Sequence, residues 1–209
     1  SPILSNSQIK KFKKLFASKI RTIDCTFKTT ETLKEGLEKI KNEAEISVRE
    51  GSTTLILSDK NIGSTRANIP MVLAVGAINS HLVNLGLRGY CSINVETSET
   101  LDTHSFAVLI GVGATTINPY LTIDSIFQRF EKKLFGELSF NDCVLRFKKS
   151  IENGLLKIMS KMGISIISAY RGGCNFETVG LSRALVSDYF PGMVSRISGI
   201  GIKGIEEKI

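Results

Sequence analysis

The chain lacks any long apolar run. None of its 209 residues lies in a stretch that approaches about eighteen uninterrupted apolar side chains, so we predict no membrane-spanning helix and no membrane partner. The opening residues, Ser1-Pro2-Ile3, also lack the basic and apolar segments of a secretory signal, and they lack an initiator Met. From that missing Met we expect the chain to be a cut piece or a processed product.

Metal-binding patterns are also missing. The four cysteines are far apart and form no Cys-x-x-Cys pair, which excludes the common zinc and iron–sulfur motifs, and only two histidines are present. We therefore expect no metal site in the chain. We expect reduced thiols, as in intracellular proteins, at Cys25, Cys91, Cys143 and Cys174.

Acidic residues are fewer than basic ones, and the net charge is +7. Such a balance favours anionic partners. The lysines are nevertheless dispersed in pairs on predicted helix faces, and no recognition motif or basic stripe interleaved with aromatic residues accompanies them. We therefore expect no nucleic-acid partner, and a basic nucleic-acid-binding module is kept only as a weaker alternative.

What the sequence does contain is a regular alternation of strand and helix patterns. Helices are predicted at 5–19, 30–50 (capped by Thr30), 70–86 and 101–110, and strands at 21–27, 54–57, 90–96 and 114–117. Fourfold alternation predicts the α/β class, built from parallel β-α units. The short spacing between strands fits a partial barrel or a doubly wound sheet, and both remain open.

The rest of the chain is predicted to be a mainly helical C-terminal portion. Two helices are predicted at 121–135, capped by Thr122, Asp124 or Ser125, and at 139–160, capped within Ser139 to Asp142. A β-branched run predicts a strand at 164–168. A short helix at 182–189 and a last partial helix follow.

An unusual segment runs from Gly154 to Gly163. It places two lysines, two methionines and a serine in otherwise apolar sequence, and a plain buried strand would not carry Lys157 and Lys161 four residues apart. The segment continues into Tyr170-Arg171-Gly172-Gly173. It resembles the opening of the flavin-binding barrel domain of glutamate synthase.

Upstream strings resemble the central domain of the same family, in the family's order. They are Leu55-Ile56-Leu57-Ser58-Asp59, Ile69-Pro70, Leu73-Ala74-Val75-Gly76-Ala77, Val95-Glu96, His104 to Gly111, and Ile117-Asn118-Pro119-Tyr120-Leu121. The resemblance implies two parts: residues 1–137 as the C-terminal part of the central domain, and residues 138–209 as the beginning of the FMN-binding (β/α) barrel domain.

The resemblance also implies a parent enzyme. Glutamate synthase is an oxidoreductase that forms glutamate from 2-oxoglutarate and glutamine-derived ammonia with flavin electrons, and the parent carries FMN and an iron–sulfur cluster. The partners implied are the glutaminase domain and the rest of the flavin barrel, in the cytoplasm or in a plastid. The chain alone is expected to bind no cofactor tightly and to be inactive. The alternative is a non-catalytic scaffold between domains that lines an ammonia passage.

Four residues of the unusual segment are cofactor-binding candidates: Lys157, Met159, Ser160 and Lys161. In a flavin barrel the first strand lies against the cofactor ring, where a lysine can stabilise negative charge and a serine can hydrogen-bond. The alternative is that Met159 and Met162 fill the core while the lysines extend to solvent.

Arg171 is the fifth cofactor-binding candidate. Its guanidinium can bind a carboxylate or phosphate in a fork geometry, and the neighbouring glycines allow a ligand to approach closely. The alternative is an ordinary turn in which Arg171 pairs with Glu177.

Polar residues also end the predicted strands, at Asp59, Glu96 and Asn118-Pro119-Tyr120. Strand ends of this kind are common active-site positions in α/β proteins. Because the central domain of the family has no known chemistry of its own, we prefer a structural role for them. We assign no catalytic residue.

Overall fold

The computed structural model describes residues 1–173 and 175–209, so the expectation of a reduced thiol at Cys174 lies outside the described residues. The helices are α1 (Asn6–Leu15), α2 (Leu33–Arg49), α3 (Met71–Asn84), α4 (Thr103–Gly111), α5 (Tyr120–Glu131), α6 (Phe140–Lys161), α7 (Ile167–Tyr170), α8 (Arg183–Tyr189) and α9 (Ile202–Glu206). The strands are β1 (Ile20–Asp24), β2 (Thr26–Lys28), β3 (Thr54–Ser58), β4 (Arg66–Asn68), β5 (Ser92–Glu96), β6 (Thr116–Asn118), β7 (Glu177–Leu181) and β8 (Val194–Ile200).

The central sheet has four strands in the order β1-β3-β5-β6, and all of them run parallel. The predicted parallel β-α units are therefore confirmed. Spatial order follows chain order without the reversal that defines a doubly wound sheet, so this sheet has the strand order of a barrel segment. The N-terminal residues extend it, since the N–H of Leu4 donates to the carbonyl of Ile117 at 2.8 Å.

Helix caps explain where two of the helices begin. Thr32, and not the predicted Thr30, caps α2 in a reciprocal capping box with Glu35. The predicted cap at Ser139 is confirmed, since its side chain accepts from the N–H of Asp142. Each box satisfies backbone N–H groups that the first turn of a helix leaves without partners.

The predicted caps of α5 are wrong. The helix begins after Pro119, which makes no side-chain cap, so Thr122 and Ser125 lie inside the helix. There the Thr122 hydroxyl donates to the carbonyl of Thr100 at 2.5 Å, and that of Ser125 donates to the carbonyl of Leu121 at 2.8 Å. A proline is tolerated at the start of a helix because an N–H at that position would have no partner within the helix.

The predicted strand at 164–168 is also wrong. The chain turns at Gly163, which has a φ of 70°, and then forms the short helix α7. Tyr170 at the end of α7 is 1% exposed, and its hydroxyl donates to the carbonyl of Ala107 on α4 at 3.3 Å. Burial of this one large side chain outweighs the strand preference of the residues before it.

Two small sheets were not predicted. β2 and β4 pair antiparallel within what the sequence predicts as a strand and a polar loop, and β7 and β8 form a parallel pair. The β7–β8 pair lies in the portion that we predicted to be mainly helical. That portion therefore carries a second, smaller β-α-β unit built from β7, α8 and β8.

One hydrophobic core connects most elements. It joins the central sheet and helices α2, α3 and α4 to the inner face of α6, through Ile151, Leu155 and Met159, and to α8 through Leu185 and Val186. The core thus includes residues from both sides of position 137, where the predicted boundary between the two domains stays a prediction. Within the described residues, no helix is both long and apolar enough to span a lipid bilayer.

Candidate functional site

The carboxyl ends of β3, β5 and β6 bring the polar strand-end residues together. Asp59, which follows β3, is completely buried. Its Oδ2 accepts hydrogen bonds from the Thr97 hydroxyl at 2.8 Å and from the N–H and hydroxyl of Ser98 at 2.8 and 3.0 Å. Asp59 therefore holds the loop after β5 against the end of β3.

Tyr120 lies beside this carboxylate. Burial and the neighbouring negative charge of Asp59 raise the pKa of the Tyr120 hydroxyl, so the phenol stays protonated. Three buried oxygens at this edge make no hydrogen bond to the described residues: Oδ1 of Asp59, Oγ1 of Thr100 and Oδ1 of Asn118. Oxygens of this kind are common sites of ordered water in proteins.

Glu96 is the centre of a charged group at the same edge. Its side chain is 2% exposed and accepts from Lys13 Nζ at 2.6 Å and from Lys60 Nζ at 2.8 Å. Burial alone would raise the pKa of Glu96, but the two ammonium groups outweigh it and lower the pKa below its usual value. Lys60 Nζ also lies 4.9 Å from the centre of the Tyr120 ring, a cation–π distance.

Glu99 binds the beginning of α3. Its carboxylate accepts from the N–H of Met71 at 2.9 Å and from Asn68 Nδ2 at 2.5 Å. Because α3 starts after Pro70, which offers no side-chain cap, Glu99 supplies the missing acceptor from a distant loop. Burial raises the pKa of Glu99, and the negative charge of Asp59 adds to this effect. Sequence patterns gave no signal for this contact, because its partners lie 28 and 31 residues away in the chain.

The carboxylates at this sheet edge therefore hold neighbouring segments of the chain together. Its carboxylates accept hydrogen bonds from loops, from a helix start and from two lysines, one of which, Lys13, comes from α1. This arrangement fits the structural role that we preferred for Asp59, Glu96 and Tyr120. An acid–base pair would need a carboxylate that faces a substrate, and the carboxylates here face their own chain.

The end of α6 carries four of the five predicted cofactor-binding residues. Lys157, Ser160 and Lys161 are exposed on the last two turns, whereas Met159 is 5% exposed and packs in the core. Among the described residues neither lysine forms an ion pair. Lysines suit this position because the C-terminal end of a helix carries partial negative charge.

Apolar side chains surround these lysines at the surface. Leu156 is 61% exposed, Met162 is 43% exposed and Ile166 is 60% exposed. We call the surface formed by Leu156, Lys157, Ser160, Lys161, Met162 and Ile166 the α6-end surface. A mixed apolar and cationic surface of this kind is typical of a contact with another domain or with an anionic ligand.

Arg171 is half-buried beside the C-terminal end of α4. The N–H of Gly172 donates to the carbonyl of Gly111 at 2.9 Å, which fixes the backbone there. The alternative pairing with Glu177 is wrong, because Glu177 lies 3.5 Å from Arg196 Nε instead. Arg171 has no carboxylate partner within residues 1–173 and 175–209.

Arg88 is a cationic neighbour of Arg171 that sequence reasoning missed. Burial lowers the pKa of Arg88, and the positive charge of Arg171 lowers it further. Its guanidinium donates to Asn79 Oδ1 at 2.8 Å and to the carbonyls of Cys91 and Gly113 at 2.6 and 2.9 Å. These neutral acceptors hold α3 to the segments that precede β5 and β6, and they carry no negative charge to offset the guanidinium.

Three of the cofactor-binding candidates share one exposed helix face. Lys157, Ser160 and Lys161 lie on the convex outer face of a helix, where they can contact an anionic group from one direction only. A bound isoalloxazine ring needs enclosure on more than one side. An exposed helix face can form at most one wall of such an enclosure.

Comparison with known proteins places the chain in a family. A model of the glutamate synthase central domain matches residues 1–182. The chain belongs to the glutamate synthase central domain family. The match extends beyond residue 137 and includes the whole α6-end surface, and it ends between β7 and β8.

Curated relatives support the same glutamate synthase assignment. The glutamate synthase [NADPH] large chain of Azospirillum brasilense is 50% identical over 212 residues, which cover 100% of this chain and 14% of the relative. The large chain of Bacillus subtilis is 40% identical over 210 residues, with the same two coverages. The chloroplastic ferredoxin-dependent glutamate synthase of Spinacia oleracea is 41% identical over 180 residues, or 81% of this chain and 11% of the relative. The chain therefore spans about a seventh of the length of the first two relatives.

Proposed function

We propose that this chain is part of a glutamate synthase. The enzyme would form glutamate from 2-oxoglutarate and glutamine-derived ammonia, using electrons delivered by flavin. The observation that carries the proposal is the 50% identity to the Azospirillum brasilense large chain across the whole of this chain. Since the chain spans 14% of that relative, the activity and both substrates belong to the longer protein.

We further propose that residues 1–137 belong to the central domain and that residues 138–209 begin the FMN-binding barrel domain. On this proposal Lys157, Ser160, Lys161 and Arg171 face the flavin side of the junction. The lysines and the arginine would favour negative charge on the cofactor, and the serine would donate a hydrogen bond. Met159 would contribute as a core residue that fixes the end of α6.

The cofactors proposed for the longer protein are FMN and an iron–sulfur cluster. FMN would supply the electrons. Within the described residues, no three histidine, cysteine or acidic side chains lie together in a way that could hold a metal ion. The cluster ligands would therefore lie in other parts of the enzyme.

The partners proposed for this chain are the remaining domains of that enzyme, namely the glutaminase domain and the rest of the flavin barrel. The exposed apolar residues of the α6-end surface support a domain contact, because such side chains are usually covered. We propose a cytoplasmic location, with a plastid as the alternative. The relative from Spinacia oleracea is described as chloroplastic.

A non-catalytic scaffold is the second candidate. The sheet edge favours it, since the carboxylates of Asp59, Glu96 and Glu99 all bind their own chain. Under this alternative the chain holds neighbouring domains apart and lines an ammonia passage between them. It would contribute no side chain to flavin chemistry.

The test has two parts. The longer protein is assayed for glutamate formation from glutamine and 2-oxoglutarate with a reductant, and we expect glutamate to form. The 209-residue chain is mixed with FMN and passed over a desalting column, and we expect it to elute colourless because its candidate residues form only one wall. A longer protein that makes no glutamate would contradict the enzyme assignment, and a stoichiometric yellow chain would contradict the one-wall account.

A further inference from the structure

A groove lies between α1 and the neighbouring helices α5 and α6, near the N-terminal end of α6. Its cavity volume is about 580 Å³. Ligand-binding clefts in proteins typically enclose roughly 300–1,000 Å³. We call this cleft the α1–α6 groove and define it by six of the residues that line it: Lys10, Asp124, Phe127, Phe140, Leu145 and Lys148. The α6-end surface lies at the other end of the same helix.

Hydrogen bonds hold the walls of the groove in place. Asn6 Nδ2 on α1 donates to Asp124 Oδ1 on α5 at 3.0 Å, and Lys148 Nζ on α6 donates to Gln8 Oε1 on α1 at 3.0 Å. The Asn6 amide is fixed in turn, because its Oδ1 accepts from Asn118 Nδ2 at 3.0 Å. The groove is therefore formed before a partner binds, which lowers the entropy cost of binding.

The floor of the groove is apolar and partly exposed. Phe127 is 45% exposed, and Leu145 is 63% exposed. The rings of Phe127 and Phe140 pack edge to face with 5.3 Å between their centres. Aromatic side chains are enriched at the centres of protein interfaces, and exposed apolar groups that lie together mark interaction sites. The floor therefore suits apolar side chains of a partner.

The rim of the groove is cationic. Lys10 and Lys148 line it, and within residues 1–173 and 175–209 neither of them forms an ion pair. Asp124 is the one carboxylate among the described residues that line the groove, and Asn6 already donates to it. The rim therefore suits acidic side chains of a partner.

The walls of the groove are built from helices. Each lining residue in the described part of the chain lies on α1, α5 or α6, except Ser5, which caps α1. Because helices pair their backbone groups internally, the groove offers no open strand edge to which an extended peptide could add. An occupant must satisfy its own backbone hydrogen bonds, as a helix does.

We propose that the α1–α6 groove is a docking site for an acidic amphipathic helix of a separate partner protein. This proposal goes beyond the proposed function and does not depend on it. Apolar side chains along one face of the partner helix would cover Phe127 and Leu145. Acidic side chains at the borders of that face would pair with Lys10 and Lys148.

The charges of the groove favour a separate partner as the occupant. Permanent interfaces are mostly apolar, whereas interfaces that form and dissociate combine an apolar centre with a polar rim. The groove has the second character, since Lys10 is exposed and Lys148 is half-buried beside the aromatic floor. A second copy of this chain is a poorer occupant, because each copy carries a net charge of +7 and two copies repel each other.

Binding of a synthetic peptide to the longer protein tests the proposal. The probe is a fluorescein-labelled helix of about four turns, with leucine along one face and glutamate on the other. One control peptide has lysine in place of each glutamate, and a second has the composition of the probe in an order that forms no apolar face. Fluorescence anisotropy gives the Kd. We expect the probe to bind about tenfold or more tightly than either control peptide.

Paired charge reversals distinguish the groove from the general positive charge of the protein. Lys10→Glu combined with Lys148→Glu should weaken binding of the probe about tenfold or more. The control combines Lys11→Glu with Lys149→Glu, which changes the net charge equally at exposed positions that do not line the groove. It should weaken binding less than about threefold, because water and salt screen these charges.

A matched pair of apolar variants tests the floor of the groove. Leu145→Ser should weaken binding of the probe about tenfold. Leu134→Ser should leave binding unchanged, since Leu134 is 64% exposed but does not line the groove. The proposal is overturned if the probe does not bind, if either control peptide binds as tightly, or if Leu134→Ser weakens binding as much as Leu145→Ser. Equal weakening by the two charge reversals would also overturn it, because it would show attraction to net charge alone.

Discussion

Lys13 on α1 and Glu96 at the end of β5 lie 83 residues apart in the chain and form an ion pair with 2.6 Å between Nζ and Oε2. Because Glu96 also binds Lys60, one buried carboxylate fastens the N-terminal helix and the loop after β3 to the sheet edge. Removing that carboxylate charge should loosen both attachments.

We predict that Glu96→Gln lowers the free energy of unfolding by about 1–2 kcal/mol near pH 7. The effect is smaller than for a fully buried pair, since Lys13 and Lys60 are 35% and 45% exposed and water screens them. Urea denaturation measures it. The control is Glu38→Gln, which removes a surface pair with Lys41 and should cost less than about 0.5 kcal/mol.

The ion pairs of Glu96 also predict that the stability of the chain depends on pH. The pKa of Glu96 is lower in the folded state than in the unfolded state, so its stabilisation is fully present above the unfolded value of about 4.3. The stabilisation disappears as the pH falls through the lowered folded-state pKa. The unsubstituted chain and Glu96→Gln should therefore differ in stability at pH 7, and the difference should shrink only as the pH falls below about 4.3 and through the lowered folded-state pKa. A constant difference across that range would contradict the role of Glu96.

Gly154 makes a close contact between α6 and α4. A Cβ at this position would lie 2.5 Å from Thr103 Cγ2 and 2.6 Å from Thr103 Oγ1. Gly154→Ala should therefore destabilise the chain by about 1–2 kcal/mol, although alanine is the better helix former by about 1 kcal/mol. Adding Thr103→Ala removes both atoms and should restore much of the loss. Additive effects in the double variant, measured by thermal unfolding, would show that the two residues do not interact.

Met159 on α6 and Met162, the residue that follows α6, are two methionines with very different exposure. Met159 is 5% exposed and Met162 is 43% exposed. Met159→Ala leaves a cavity in the core and should cost about 2–4 kcal/mol, whereas Met162→Ala should cost less than about 1 kcal/mol. Chemical denaturation of the two variants compares these costs directly. Equal losses would mean that the inner face of α6 is not packed as described.

Cys25 should be chemically inert while the chain is folded. Burial raises the pKa of its thiol, the negative charge of Asp24 adds to this, and the thiolate is the form that reacts. We expect maleimide to modify Cys25 about 100-fold more slowly in buffer at pH 8 than in denaturant, because modification requires opening of the core. Peptide mapping by mass spectrometry follows this one site. Rapid labelling in buffer would contradict its burial.

Local patterns predicted the elements that depend on local interactions. Apolar spacing and the Ser139 cap placed α6 within a residue, because amphipathic periodicity and capping act between neighbours in the chain. The four parallel strands were also predicted, since buried strands appear as short apolar runs. The barrel-like strand order could not be predicted, because the same alternation also fits a doubly wound sheet.

The sequence-based predictions were wrong where contacts between residues far apart in the chain decide the structure. The β-branched run at 164–168 became a turn and a helix because Tyr170 is buried against α4, more than 60 residues earlier in the chain. The three-residue strand β4 is held by Arg66, whose guanidinium donates to Asp24 at 2.9 Å and to the Thr26 hydroxyl at 2.7 Å. Neither contact leaves a periodic signal in the sequence. For the candidate site, the pattern singled out the lysines of α6 but could not show that Met159 points into the core.

The most direct test of a flavin-side role for the α6-end surface is made in the longer enzyme. Lys157→Gln and Lys161→Gln are combined, with Lys149→Gln, an exposed lysine earlier on α6, as the control. Glutamine hydrolysis and flavin reduction are then measured on the same samples. We expect flavin reduction to be slowed about tenfold or more in the double variant, while glutamine hydrolysis and the control variant remain normal. Normal flavin reduction, with glutamine hydrolysis no longer coupled to glutamate formation, would contradict it and favour the scaffold.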